Sequence, residues 1–271
     1  MDDIARYNKA RWEELAQANV GYSRPFLDLD AASARKLVDP YGVMGDVRGK
    51  DVLCLASGGG QQSVAFALLG AHVTVLDLSE TQLQRDRAAA QHYGVQIEIG
   101  QGDMRDLSRF ANASFDLVWH AFSINFVPQI QPVFREVARV LRDGGLYRIE
   151  SHNPFIIGMS EEDWNGVGYS LRAAYLDGAE VVFDDPYWTF EGYDGSRERV
   201  QAPREFRHSL SSIVNGLIGQ GFVLLGIWEE LSGDPQAQPG TWEHFKAIAP
   251  PWLTCWAAYR PGLLKERHES R

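Results

Sequence analysis

Between residues 54 and 63 the chain reads CLASGGGQQS, and this stretch limits the choice of folds more than any other. It lies between two apolar runs, DVLCLA (51 to 56) and SVAFALLG (63 to 70). Every glycine costs backbone entropy on folding. Gly58, Gly59 and Gly60 in succession therefore imply a turn that no side chain tolerates, or a backbone that a ligand approaches closely. The first run has strand character and ends at the glycines. The second has helix length, with Gly70 as its stop. Strand, glycine turn and helix form the opening unit.

The same alternation continues. HVTVLDL (72 to 78) is a β-branched run, and in SETQLQRDRAAAQHYG the residues Ser79 and Gln82 have capping-box spacing before Gly94 ends the helix. VQIEIG (95 to 100), FDLVWHAF (115 to 122) and GLYRIES (145 to 151) are strand-like. QIQPVFREVARVLRDGG places Val133, Val137, Val140 and Leu141 on one helical face between the last two. Near the end, HSLSSIVNGLIGQG (208 to 221) has helical spacing, and FVLLGIWEEL and WLTCWAAYR supply two more strands. Strands alternating with helices predict an α/β fold with a mostly parallel sheet covered on both faces. Ligands in such sheets sit beyond the carboxyl ends of the strands.

Composition narrows the class. A formal charge of −10 over 271 residues argues against a nucleic-acid surface, which draws its affinity from Lys and Arg. Cys54 and Cys255 lack metal-ligand spacing, and MDDIARYNKAR has no apolar leader core, so a cytoplasmic protein with no membrane span is expected. No H-E-x-x-H, G-x-S-x-G or G-x-x-x-x-G-K motif occurs, and no metal dependence is expected. The whole chain is expected to be one domain: a cover over 1–46, a core over 47–150, an aromatic-rich insertion over 151–205 and the rest of the core over 206–271.

The strand ends carry the candidate chemistry. Against the dinucleotide fingerprint G-x-G-x-x-G/A, Gly58 and Gly60 fit, but Ser63 fails at the third position. Asp77, nineteen residues after Gly58, suits an acid that binds ribose hydroxyls. Asp103 follows the third strand, placed to accept from an exocyclic amine with Met104 beside a flat ring. The fourth strand runs into His120. A bare structural turn remains an alternative at this level.

Together these residues resemble the class I S-adenosylmethionine-dependent methyltransferases, whose first motif reads roughly D/E-x-G-x-G-x-G. VLCLASGGGQ aligns with it as Cys54-x-Ala56-x-Gly58-x-Gly60, and the likeness extends through Asp77, Asp103, FDLV and RVLRDGG. Two positions depart: Cys54 stands for the usual acid and Ala56 for the first glycine. The resemblance implies a Rossmann-like, seven-stranded, mostly parallel sheet with a helical N-terminal cover and the aromatic-rich insertion after the fifth strand. It implies that the backbone of Ala56, Ser57, Gly58 and Gly60 follows the methionine part of S-adenosylmethionine. Asp77 would then take the ribose hydroxyls, Leu78 and Met104 would flank adenine, Asp103 would accept from its amine, and His120 would lie near the sulfonium. Trp12 or Tyr22 of the cover would touch the cofactor. The glycine turn offers no basic residue for a phosphate, which favours this cofactor over a dinucleotide.

Methyl transfer needs alignment of the acceptor, exclusion of water, and a base only where the acceptor carries a proton. His120 and His152 are the candidate catalytic residues, each weighed against an ordinary structural role. The insertion holds Phe155, Trp164, Tyr169, Tyr175, Phe183, Tyr187, Trp188, Phe190 and Tyr193. Those rings suit the core of an added layer or a lid over a flat or cationic small molecule. The function expected is methylation of a small-molecule acceptor. The alternatives are a protein or nucleic-acid methyltransferase and a non-catalytic S-adenosylmethionine- or dinucleotide-binding module.

Overall fold

Apolar residues of even and odd positions in each strand face opposite helical layers, and the sheet forms between them. The computed structural model describes residues 1–171, 173–183, 185–191 and 197–263. In chain order, α1 (Asp3–Gln17) and α2 (Ala31–Val38) precede the alternating series β1 (Asp51–Leu55), α3 (Gln62–Leu68), β2 (His72–Asp77), α4 (Glu80–Tyr93) and β3 (Ile97–Gln101). β4 (Phe115–Phe122), α5 (Gln131–Val140) and β5 (Leu141–His152) follow. The described residues of the insertion include the short strands β6 (Glu180–Val181), β7 (Tyr187–Glu191), β8 (Arg197–Gln201) and β9 (Glu205–Phe206). The chain then forms α6 (Leu210–Gly219), β10 (Phe222–Glu229), α7 (Trp242–Ile248) and β11 (Trp252–Tyr259).

The main sheet has seven strands in the order β10-β11-β5-β4-β1-β2-β3. Pairing is parallel from β3 to β5, while β11 runs antiparallel to both β5 and β10. Leu53, Val118 and Tyr147 pack with α5 and α6, whereas Cys54, Val73 and Trp119 pack with α2, α3 and Leu83 of α4. The Rossmann-like expectation therefore holds, with helices on both faces. The chain proceeds outward from β1 through β2 to β3 and then crosses back to β4 on the other side of β1, so the crevice at the carboxyl ends of β1 and β4 is the topological switch point.

Local boundaries follow from side-chain chemistry. Ser79 accepts from the Gln82 N–H at 3.1 Å to start α4, and Gly94 ends it at φ +65°. Sequence spacing predicts a fifth strand from residue 145, but β5 starts at Leu141. Its register against β4 shifts between Phe115–Leu141 and Leu117–Leu146, so the RDGG turn is a bulge within the strand.

The N-terminal segment is tied down by charge. Glu13 of α1 accepts from the N–H groups of Glu80 and Thr81 at 2.6 and 3.1 Å, which puts a carboxylate on the N-terminus of α4. Arg85 of α4 reaches back to Ser23 and Ala16. In the insertion, β6 pairs with β9 and β7 with β8. Trp164 and Tyr169 pack on α7 through His244 and Phe245. Trp188 instead turns towards Trp12 and Phe126. Tyr193 lies outside the described residues. No helix among the described residues is long and apolar enough to cross a membrane.

Candidate active site

The carboxyl ends of β1 to β4 open into a cavity of about 720 Å³. At its floor the chain leaves β1 with Ala56 at φ +47°, in the left-handed region that favours glycine. This is the position where the family pattern has its first glycine, and the methyl group is carried there in a strained backbone. Gly58 follows. Its N–H donates to Asp77 Oδ2 at 2.9 Å, and a Cβ there would come within 2.7 Å of Gln82 Cβ and 3.0 Å of Asp77 Cγ. Ser79 N–H donates to the other oxygen of Asp77, also at 2.9 Å. Burial pushes the Asp77 carboxyl above its ordinary range, against the pull of these two N–H groups.

Gly59 and Gly60 serve a different partner. Their N–H groups donate to Asp86 Oδ2 and Oδ1 at 2.9 and 3.1 Å, and the Ser63 hydroxyl donates to Oδ1 as well. Asp86 is completely buried on α4. Burial raises its carboxyl to about 7 although three donors favour the charged form, and the nearby Asp77 adds to the rise. Cys54 brings no acid to the turn, and the carboxylate that the turn bonds comes from α4, twenty-seven residues beyond Gly59. A sequence signal for it existed: Leu83, Asp86 and Ala90 follow the spacing of a buried helical stripe, and all three are buried. A carboxylate in such a stripe needs donors.

Most of the expected residues meet at this cavity. Ala56, Ser57, Gly58, Asp77, Leu78 and Met104 line one end, and Asp103 lies beside them. Trp12 and Tyr22 close over from the N-terminal segment, and His152 lines the far side. The Asp103 carboxylate is shared with Arg105, whose Nη2 lies 2.6 Å away and whose Nη1 also reaches Asp2 at 2.6 Å. Any adenine amine there would share Asp103 with that guanidinium.

Two expectations need correction. Gly60 does not line the cavity: at φ +73° it packs on α4, where a Cβ would meet Ala89 Cβ and the Arg85 carbonyl at 2.8 Å. Its freedom serves the turn and helix packing. His120 does not line the cavity either. Strand alternation puts it with Val118 on the α5 and α6 side, fully buried, with Nδ1 2.8 Å from the Tyr147 hydroxyl. Burial, with Arg148 nearby, pushes its pKa down to about 3, so it stays neutral and is no base for this cavity. The ring proton resonances of His120 are expected to stay fixed between pH 5 and 8 in an NMR titration, and a midpoint in that range would reverse the assignment.

Beyond the glycine turn the cavity becomes aromatic. Trp12 meets Phe126 at 5.2 Å and Trp188 at 6.0 Å, both edge to face, and Tyr22 meets Trp188 at 6.0 Å. Here His152 Nε2 lies 2.9 Å from Oε2 of Glu205, a residue the sequence gave no reason to single out.

Comparison with known proteins gives this geometry its family. A family model described as a methyltransferase domain matches residues 53–149, from β1 into β5. An uncharacterized methyltransferase of Bacillus subtilis, YbaJ, is 36% identical over 189 residues, covering 69% of this chain and 71% of that protein. The chain belongs to the class I S-adenosylmethionine-dependent methyltransferases. A solved S-adenosylmethionine-dependent methyltransferase of Mesorhizobium loti superimposes on this methyltransferase with TM-score 0.58 at 20% identity, covering 86% of this chain and all of that one. A geranyl diphosphate methyltransferase solved with S-adenosylmethionine gives TM-score 0.53 at 15% identity and covers 84% of each chain. These structural likenesses concern the fold. S-adenosylmethionine is the cofactor of this methyltransferase, and the buried acid that its glycine turn bonds comes from α4.

Proposed function

We propose that this methyltransferase methylates a small molecule held in the aromatic half of the cavity. One observation carries the reading: a single cavity of about 720 Å³ runs from the glycine turn to the rings of Trp12, Phe126 and Trp188. Small-molecule sites span roughly 300 to 1,000 Å³. Buried, free Cys54 and Cys255 suit a reducing cytoplasmic setting.

The donor set suits the cofactor. Asp77 keeps lone pairs on both oxygens after accepting from Gly58 and Ser79, enough to take a ribose diol. Gln82 Oε1 is buried beside Gly58 and has no partner among the described residues, so it suits a further donor from the ligand. The backbone of Ala56, Ser57 and Gly58 would follow the methionine part, and Leu78 and Met104 the adenine faces. Asp103 would lie at the amine edge, and Trp12 and Tyr22 would close the top. The turn contains no cation for a phosphate.

The cofactor supplies a methyl group already activated on a positively charged sulfur. What remains for the chain is to orient the acceptor, exclude water and remove a proton where the acceptor has one. His152 is the titratable group on the acceptor side suited to that last task. Isothermal calorimetry tests the reading first: S-adenosylmethionine and its demethylated product are expected to bind with dissociation constants between about 1 μM and 1 mM. A screen of small acceptors with methyl-labelled cofactor follows. Absence of binding by both ligands would refute the cofactor assignment, and label transfer only to protein or nucleic acid would refute the acceptor assignment.

A further inference from the structure

Among the described residues, the acceptor half of the cavity contains an imidazole with one nitrogen committed and the other without a partner. His152 is the last residue of β5, and its Nε2 lies 2.9 Å from Oε2 of Glu205 on β9. Glu205 is only 2% exposed, and His152 is the one side-chain partner of its carboxylate among the described residues. A buried carboxylate favours the tautomer with the proton on Nε2, which leaves the lone pair on Nδ1. The Phe122 ring stands at 89° to the imidazole, 4.6 Å away, and Asn125 Oδ1 accepts the His152 backbone N–H at 2.9 Å. Orientation and tautomer are both set. Nδ1 makes no hydrogen bond to any described residue, and both His152 and Glu205 line the cavity.

The remaining charges around this pair are accounted for. Glu150, two residues back on the same strand, is held by Arg148 at 2.7 Å. Glu230 is exposed, and its carboxylate accepts from Ser232 at 2.8 Å. Phe122 on β4 brings no charge, and Tyr22 brings a phenol from the N-terminal segment. An organic cation would therefore find the two inner carboxylates already partnered. A flat ring carrying a proton donor finds aromatic walls and a free imidazole lone pair.

We propose that Glu205 positions His152 as the general base for an uncharged aromatic acceptor bearing a weakly acidic hydroxyl, a phenol-type compound. This deepens the proposed function and rests on it. As the O–H bond breaks, its proton bonds to Nδ1 and its electron pair stays on oxygen. That oxygen forms the new bond to the methyl carbon, while the pair of the breaking C–S bond stays on sulfur. The imidazolium is stabilised by the Glu205 carboxylate and returns its proton to solvent.

The test uses the full chain and the variants His152→Gln, which keeps a donor for Glu205, and Glu205→Gln, which keeps an acceptor. Without cofactor, para-nitrophenol is added about one pH unit below its own pKa, where little of it is ionised in buffer. Its phenolate absorption is expected to rise on binding to the wild type, less with Glu205→Gln and not at all with His152→Gln. With cofactor, His152→Gln is expected to lower kcat about 100-fold or more on a phenol of ordinary acidity, but less than about tenfold on the nitrophenol once it is ionised at the assay pH. Calorimetry should give an unchanged cofactor affinity for both variants, which verifies that they fold. Equal losses on the two acceptors, no loss on either, absence of the phenolate signal from the wild type, or methylation confined to amines would each overturn the proposal. Failure of the wild type to bind S-adenosylmethionine would refute the underlying assignment instead.

Discussion

Replacing Asp86 with alanine is expected to be the most damaging single change to the glycine turn. It strands the buried N–H groups of Gly59 and Gly60 and the hydroxyl of Ser63. Each buried donor left without a partner costs about 1 to 3 kcal/mol, so the three together are expected to cost at least roughly 3 kcal/mol. Thermal unfolding should report a midpoint lowered by about 10 °C, and calorimetry a large loss of cofactor affinity. A melt like that of the wild type would rule out the turn-ordering role. The variant Asp86→Asn adds a pH test. Burial lifts the Asp86 carboxyl to about 7 in the folded chain, above its value of about 3.9 when unfolded. The folded state therefore binds the extra proton, and the stability from this group is complete below about pH 4 and fades as pH rises through 7. Wild type should lose stability over that window relative to Asp86→Asn, and parallel profiles would contradict the burial argument.

Asp77→Ala is expected to act on binding more than on folding. Two charge-assisted bonds to a ribose diol, at about 1.5 to 3 kcal/mol each, correspond to a loss of roughly 100-fold or more in affinity for S-adenosylmethionine. The same change frees the N–H groups of Gly58 and Ser79. It also removes a carboxylate whose burial disfavours its charged form, which offsets part of the folding cost. Calorimetry separates the two effects: unchanged affinity would refute the ribose role, whatever the melting temperature does.

Much of the scaffold was legible because its signals are local. Short apolar and β-branched runs marked the strands, Ser79 and Gly94 marked the ends of α4, and the three glycines marked the turn. The fourth strand was expected over 115 to 122 and is found there. β5 started four residues earlier than expected, because the RDGG turn bulges within the strand instead of preceding it. The face on which His120 lies is hidden from the sequence for a related reason. Its distance along the chain put it at a strand end, but its face of the sheet depended on a register that local pattern does not reveal. Trp119 and Ala121 line the cavity, and His120 between them does not.

Residue order alone dictated an α/β sheet with a ligand crevice beyond its strand ends, since hydrophobic period and glycine placement act over a few residues and survive without knowledge of the partners. Tertiary structure decided which polar groups meet. Asp86 reaches the glycine turn across 27 residues, and Glu205 reaches His152 across 53. Those pairings depend on how α4 and the insertion pack against the sheet. A carboxylate looks the same in sequence whether it faces water or holds a buried donor, and only the packed fold sets its desolvation and its partners apart.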